Sequence, residues 1–340
     1  MSVSTFLTDP VAGVCAGALL AFAACALVLY MLIKTGLAWR LATDVPNERS
    51  LHVRPTPRVG GWGIVPVGVI LMLWLAPALW LPAVACALLA ALSQIDDRRG
   101  LPARVRFGAH VAAVAWLVVT YPASVPWWIL TILAVLLVWL VNLYNFMDGS
   151  DGLAGGMALF GFGGYAIAAA TSARPDLPLA LASAIVAGAA AGFLLFNFHP
   201  ARIFLGDAGS IPLGYLAGAL GYLGWRSEVW PIWLPAMLFM PFIADASVTL
   251  LKRLLRGEKI WQAHREHYYQ RMVQAGLGHA QTAWIWYGVM LAGIMFALGA
   301  RGLPPVLQWL AVVAWMIVLT LAGACIDMYW RGYCRRTGQN

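Results

Sequence analysis

The stretch NLYNFMDGSDGLAGG, from Asn142 to Gly156, ends an apolar run with two amides and two carboxylates, Asn142, Asn145, Asp148 and Asp151. Continued as helix, these four recur at every third residue and drift only slowly around one face. At a membrane boundary lipid opposes such groups, so the face must look into a helix bundle or a wet cavity. Gly149 and Gly152 let the backbone turn or approach a ligand closely. A helix cap would use one of these residues, and four call for more.

Three further clusters share this character. In IDDRRGLPARVRF, Asp96 and Asp97 follow a long apolar run and precede Arg98, Arg99, Arg104 and Arg106. Adjacent carboxylates at a helix end repel each other and face an unfavourable dipole unless a cation offsets them. In HPARIFLGDAGSIPLGY, glycines flank Asp207, which suits either an ion approached closely by backbone or the N-cap of the next helix. In KIWQAHREHYYQRMVQAGLGH, His264, Arg265, His267, Arg271 and His279 alternate with aromatic rings, a pattern that fits an anion better than a divalent cation. Together these supply hard oxygen donors for Mg²⁺ and a cationic clamp for phosphate oxygens, which is equipment for phosphoryl or pyrophosphate chemistry. Because the clusters open from the bilayer side, one substrate should be a lipid.

The elements that hold these clusters follow from composition. Of 340 residues 62% are hydrophobic and 11% charged, far from the balance of a soluble domain. Apolar windows long enough to cross a hydrocarbon core predict spans at 11–33, 61–77, 81–95, 105–122, 127–147, 153–171, 178–197, 210–225, 231–251, 281–300 and 304–328. The fold class is therefore an all-α polytopic integral membrane protein, a bundle of about 10–11 transmembrane helices over one domain, 1–340. With the N-terminus outside, the inner loops 34–60, 96–106, 148–152, 199–209 and 252–280 and the tail from 331 carry nineteen of the 22 Lys and Arg residues. Only Arg174, Arg226 and Arg301 lie outside, so the polar loops and the active site are expected on the cytoplasmic side. The same placement accounts for the net charge of +8 without nucleic acid. No removable signal peptide is expected, since the first basic residue is Lys34. The five cysteines lie mainly within apolar runs and suggest neither disulfides nor a zinc cluster.

NFMDGSDGLAGG at 145–156, FLGDAGS at 204–210, the Asp96-Asp97 pair, PTPRVGG at 55–61 and AHREHYYQR at 263–271 resemble the polyprenyl-phosphate N-acetylhexosamine-1-phosphate transferase family. Order and spacing match over nearly the whole chain, and the H-R-E-H loop is most similar to the branch that starts O-antigen and other surface polysaccharides. The resemblance implies transfer of a sugar-1-phosphate from a UDP-N-acetylhexosamine to undecaprenyl phosphate in the bacterial inner membrane, with release of UMP. It also implies a Mg²⁺ cofactor, with Mn²⁺ as the substitute, and a homodimer. Carried over by motif, Asp207 becomes the main metal ligand with Asn145 nearby. Asp148 and Asp151 line the nucleotide pocket with Asn142 beside them, and Asp96 and Asp97 lie by the lipid phosphate. Arg54, Thr56, Arg104, Arg106, His264, Arg265, His267 and Arg271 become the anion contacts. The donor sugar stays open between GlcNAc, FucNAc and QuiNAc, and the mechanism between direct attack and an aspartyl-phosphate intermediate on Asp96 or Asp97. Asp245, within an apolar span, is expected to pair with Lys252 or an arginine. An intramembrane prenyltransferase would need two similar Asp-rich clusters, and an ion-coupled transporter repeated halves with acids near the bilayer centre.

Overall fold

A computed structural model of the chain describes residues 10–46, 51–52, 54–259, 262 and 264–338. Helices dominate it. The first, α1 (Pro10–Lys34), leads through a short α2 (Leu37–Leu41) into a two-stranded hairpin, β1 (Thr43–Asp44) and β2 (Thr56–Pro57), with Asp44 opposite Thr56. Then come α3 (Gly60–Leu75), α4 (Trp80–Arg99), α5 (Ala103–Thr120), α6 (Trp127–Phe146), α7 (Leu153–Ala170), α8 (Leu177–Asn197), α9 (Asp207–Arg226) and α10 (Trp233–Leu255). A five-residue α11 (Tyr268–Met272), α12 (Gly278–Ala300) and α13 (Pro305–Thr337) complete the chain. Among the described residues nine helical segments are long and apolar enough to cross a membrane. With the shorter apolar α3 and the glycine-rich α9, a helix stands at each of the eleven segments predicted from the sequence. This is an all-α, multi-pass membrane protein.

Helix boundaries follow local chemistry. Pro126 and Pro304 immediately precede α6 and α13, where the fixed proline φ suits a helix start. Asp176 caps α8 through its carboxylate, which accepts from Leu179 N at 2.9 Å. Gly100 ends α4 in the left-handed conformation at φ 66°. α4 and α13 run beyond their predicted ends at 95 and 328 because Asp96–Arg99 and Tyr329–Thr337 continue the helical ladder outside the apolar window.

Small residues set the packing. A Cβ on Gly188 of α8 would strike the Ala18 backbone of α1, and one on Gly192 would lie 2.5 Å from Phe22 O, so these helices touch backbone to backbone. Residues Ala208 to Gly224 of α9 are almost all buried, making it the central helix, packed against α4 and α6. Its N-terminus, with Asp207, emerges at the end of the bundle that also holds the hairpin and the α4–α5, α6–α7, α8–α9 and α10–α11 connections. The opposite end is tied by the Tyr222 hydroxyl donating to Tyr121 O at 2.7 Å and by Arg301 donating to Ala168 O at 2.9 Å. Polar chemistry is thus concentrated at one end.

Candidate functional site

Two distant segments build one wall of the site. Pro57–Gly61 and Phe204–Leu205 lie side by side like two parallel strands: Phe204 N–H donates to Pro57 O (2.8 Å), Gly60 N–H to Phe204 O (2.9 Å) and Gly61 N–H to Leu205 O (3.0 Å). A Cβ on Gly61 would come within 2.5 Å of the Ala208 carbonyl carbon, so only glycine permits this approach. Gly206, at φ 72°, then turns the chain into α9. The result sets Arg58 beside Asp207.

Asp207 is the first residue of α9, and Gly206 occupies the cap position with no side-chain cap bond. The N-cap reading of Asp207 therefore gives way. Its carboxylate is left facing a recess of about 210 Å³, where it meets Asp148, Asn145 and Arg58. Asn145, on the last turn of α6, hydrogen-bonds the Asp207 carboxylate, and its Oδ1 accepts from Ser210 Oγ at 2.8 Å. Asp148 follows the end of α6 at Phe146, and the Gly206 amide donates to it. Burial, and then the neighbouring Asp207, push the Asp148 carboxyl up to about 7. Two carboxylates facing one recess repel each other, a cost that a nearby positive charge offsets.

The single-face pattern of Asn142 to Asp151 does not survive past Phe146, because the chain leaves the helix there and Gly152, at φ 75°, starts α7. Asn142 lies back along α6, where it donates to Val138 O at 2.7 Å and hydrogen-bonds the buried His110. Asp151 lines the recess, yet its Oδ2 is committed to His199 Nδ1 (2.6 Å) and the Ala201 amide (3.1 Å). The His199 and His279 rings stack 5.4 Å apart, and His279 Nδ1 meets Ser150 Oγ at 2.9 Å. Buried Asn197 accepts from Gly152 N–H (3.0 Å) and donates to Ile203 O (2.9 Å), tying the α6–α7 and α8–α9 connections together.

The acid pair divides. Asp96 accepts from Leu101 N–H at 2.6 Å and from Arg106 at 2.8 Å, so both its oxygens brace the α4–α5 turn. Asp97 has no ion pair or hydrogen bond among the described residues and feels the fields of Asp207 and Arg58. Of the other anion contacts expected, Arg54 and Arg104 are exposed without an ion pair among the described residues, and buried Thr56 donates to Arg54 O at 3.2 Å.

The H-R-E-H loop turns partly inward. His267, 3% exposed, faces Asp245 at 3.2 Å and caps α11 together with Gln270. Asp245 also accepts from the Tyr268 and Tyr269 amides, at 2.9 and 3.1 Å. The expected pairing of Asp245 with Lys252 or an arginine is not formed: its partners are a histidine and a helix N-terminus, and Lys252 pairs with Asp327. His264 sits 4.8 Å from the His267 ring, and burial, then that neighbour, hold it down to about 4. Arg265 and Arg271 line a different cavity.

Among the described residues no three of His, Cys, Asp and Glu converge to cage a metal unaided. Two carboxylates, Asp148 and Asp207, converge with the Asn145 amide beside them. That number of hard oxygens suits Mg²⁺, which keeps several waters and takes one or two carboxylates plus phosphate oxygens.

Arg58, Asp44, Asn197 and His199 join the site beyond the residues expected from the sequence, and His279 comes to this recess instead of to the cavity lined by Arg265 and Arg271. Arg58 pairs with Asp44 at 2.7 Å and lines the recess, a role the adjacent Gly60-Gly61 pair signals. Asn197 carried the same signal as Asn145, an amide at the end of an apolar run.

Residues 79–224 match glycosyl transferase family 4. The chain is 30% identical over 316 residues to a Bacillus subtilis (strain 168) protein described as a probable undecaprenyl-phosphate N-acetylglucosaminyl 1-phosphate transferase, covering 86% of this chain and 87% of that one. It is 31% identical to the decaprenyl-phosphate N-acetylglucosaminephosphotransferase of Mycobacterium leprae (strain TN), over 76% of this chain and 77% of the relative. It is 26% identical to the undecaprenyl-phosphate alpha-N-acetylglucosaminyl 1-phosphate transferase of Yersinia pestis, over 88% and 86%.

Proposed function

The chain belongs to the polyprenyl-phosphate N-acetylhexosamine-1-phosphate transferases of glycosyl transferase family 4, and on that premise we propose that it moves an N-acetylhexosamine-1-phosphate from a UDP-sugar to undecaprenyl phosphate. The products are UMP and the lipid-diphosphate-sugar that starts O-antigen or another cell-envelope polysaccharide, with UDP-GlcNAc as the first donor to test. The reaction is set at the cytoplasmic face of the bacterial inner membrane, a reading supported by nineteen of 22 basic residues on one side. The relatives' names favour this reading over a prenyltransferase or a transporter.

The observation that carries the proposal is the convergence of Asp207, Asp148 and Asn145 with Arg58 in one recess at a bundle end. Asp207 and Asp148 would hold Mg²⁺ and Asn145 would orient Asp207. When bound, the ion neutralises charge on the donor diphosphate. Arg58, kept in place by Asp44, presents a fixed guanidinium to phosphate oxygens.

A phosphate monoester with second pKa near 6 is already mostly dianionic at neutral pH, so the acceptor needs no base. An oxygen of the lipid phosphate attacks the β-phosphorus of the UDP-sugar. The bond from that phosphorus to the bridging oxygen breaks, and the bridging oxygen leaves with UMP. On this route Asp97, next to Arg58 and Asp207, positions the acceptor, and Asp96 keeps the turn behind it in shape. Alignment and charge neutralisation supply the rate.

The test is a panel of UDP-sugars given to membranes containing the protein with Mg²⁺ and undecaprenyl phosphate, reading UMP release and product mass. The expected outcome is UMP release that depends on the lipid and on one N-acetylhexosamine donor. No lipid-dependent UMP from any donor would overturn the proposal.

A further inference from the structure

A second cavity, of about 870 Å³, opens at the same end of the bundle on the other side of α11. Adjacent tyrosines separate the two: the Tyr269 hydroxyl donates to Phe146 O beside the acid recess (3.2 Å), while the Tyr268 hydroxyl joins Lys252 and Asp327 (2.7 and 3.4 Å). The walls come from the end of α10, the loop before α11 and the last turns of α13. Nothing in the proposed transfer uses this space.

Charge in the cavity is unbalanced. Lys252, Arg256, Arg265, Arg271 and Arg331 line it, against the two acids Glu266 and Asp327. Asp327 is shared by Lys252 (2.5 Å) and Arg271 (2.8 Å), and Glu266 is drawn to Arg256 (2.5 Å). Arg265 and Arg331 have no ion pair among the described residues. A formal excess of three positive charges in one concavity is unfavourable until an anion enters.

The surroundings are those of a membrane boundary. α13 has 33 residues, so it is about 50 Å long at 1.5 Å per residue and outruns a ~30 Å hydrocarbon core. Its last turns, with Asp327 and Arg331, project past that core. Trp330 and Tyr333 stack at 5.7 Å on the cavity wall, as aromatic residues do at the interface. Leu251, Leu254 and Leu255 of α10 and Met328 of α13 are exposed and apolar beside the charged lining. A soluble anion has no use for that apolar surface; a lipid does.

We propose that this cavity seats the phosphate-bearing head group of an anionic membrane lipid, with its acyl chains along the exposed leucines and Met328. The bound lipid holds the ends of α10 and α13 against α11. Basic recesses between helices on the cytoplasmic side of a membrane recognise such head groups.

The test uses the purified full-length protein, washed in detergent with phosphatidylcholine and then offered phosphatidylglycerol, with retained lipid counted by mass spectrometry. Arg331→Gln removes an unpaired lining cation, and Arg336→Gln removes an exposed one on the same helix end outside the lining. Lipid-dependent UMP release in phosphatidylcholine vesicles serves as the folding control. Wild type and Arg336→Gln are expected to retain phosphatidylglycerol alike. Arg331→Gln should retain it about fivefold less, the loss expected for one cation at an anionic surface, with UMP release unchanged. Equal losses in both variants would reveal diffuse attraction and overturn the site. Displacement of the lipid by millimolar inorganic phosphate, with phosphate bound in its place, would also overturn the lipid assignment.

Discussion

In the proposed transfer the chemistry turns on Asp148 and Asp207, and their proximity has a measurable signature. Because burial and the neighbouring Asp207 hold the Asp148 carboxyl up to about 7, a proton competes with a cation there. Ionised carboxylate binds Mg²⁺ and protonated carboxyl does not, so affinity is full above that value and falls as pH drops through it, by up to about tenfold per unit. Mg²⁺ titrations at pH 8 and pH 6 check this, and equal affinities would argue against Asp148 as a ligand. The acid pair makes a second case. Asp96→Asn should cost about 1 kcal/mol of stability through the Leu101 and Arg106 contacts, with the exposure of Arg106 limiting the loss. Asp97→Asn should leave the melting temperature unchanged and lower turnover roughly tenfold or more. The reverse pattern would exchange their roles.

The short connections, more than the spans, shape the site at the level of elements. Asn197 joins two of them, and Asn197→Ala leaves a buried amide and a buried carbonyl without partners, for a loss of about 2–4 kcal/mol. Thermal unfolding in detergent measures it; a loss below half of that would mean water replaces the side chain. Hydropathy marked all eleven long helices, since a ~30 Å core demands long apolar runs whatever the fold. The family resemblance grouped Asp207, Asp148 and Asn145, and all three line one recess, although pairing between Pro57–Gly61 and Phe204–Leu205 is a long-range event no local pattern encodes. For that reason the sequence points to Arg54, while the pairing brings Arg58 to the recess. Periodicity also carried Asn142 too far, because α6 ends at Phe146 and the helical face ends with it. His267 looked like an anion contact, and only the fold places Asp245 behind it.

At the scale of the whole molecule, the proposed transfer needs the charged end of the bundle to face the cytoplasm. Cys334, half-buried near the end of α13, reports on that face, and a cysteine introduced as Arg174→Cys reports on the other. A membrane-impermeant maleimide should label Cys334 in inverted vesicles only and the introduced cysteine in intact cells only. Both labelled from one side would contradict the eleven-span topology. If the recess around Asp207 performs the transfer, wild type and Asp207→Asn should differ in vesicles holding Mg²⁺, undecaprenyl phosphate and the preferred UDP-sugar. Asp207 makes no cap bond, so the variant should insert and melt like wild type while UMP release falls by about two orders of magnitude or more, the scale of losing charge stabilisation in a phosphoryl transfer. UMP release near the wild-type rate at limiting Mg²⁺ would contradict the account.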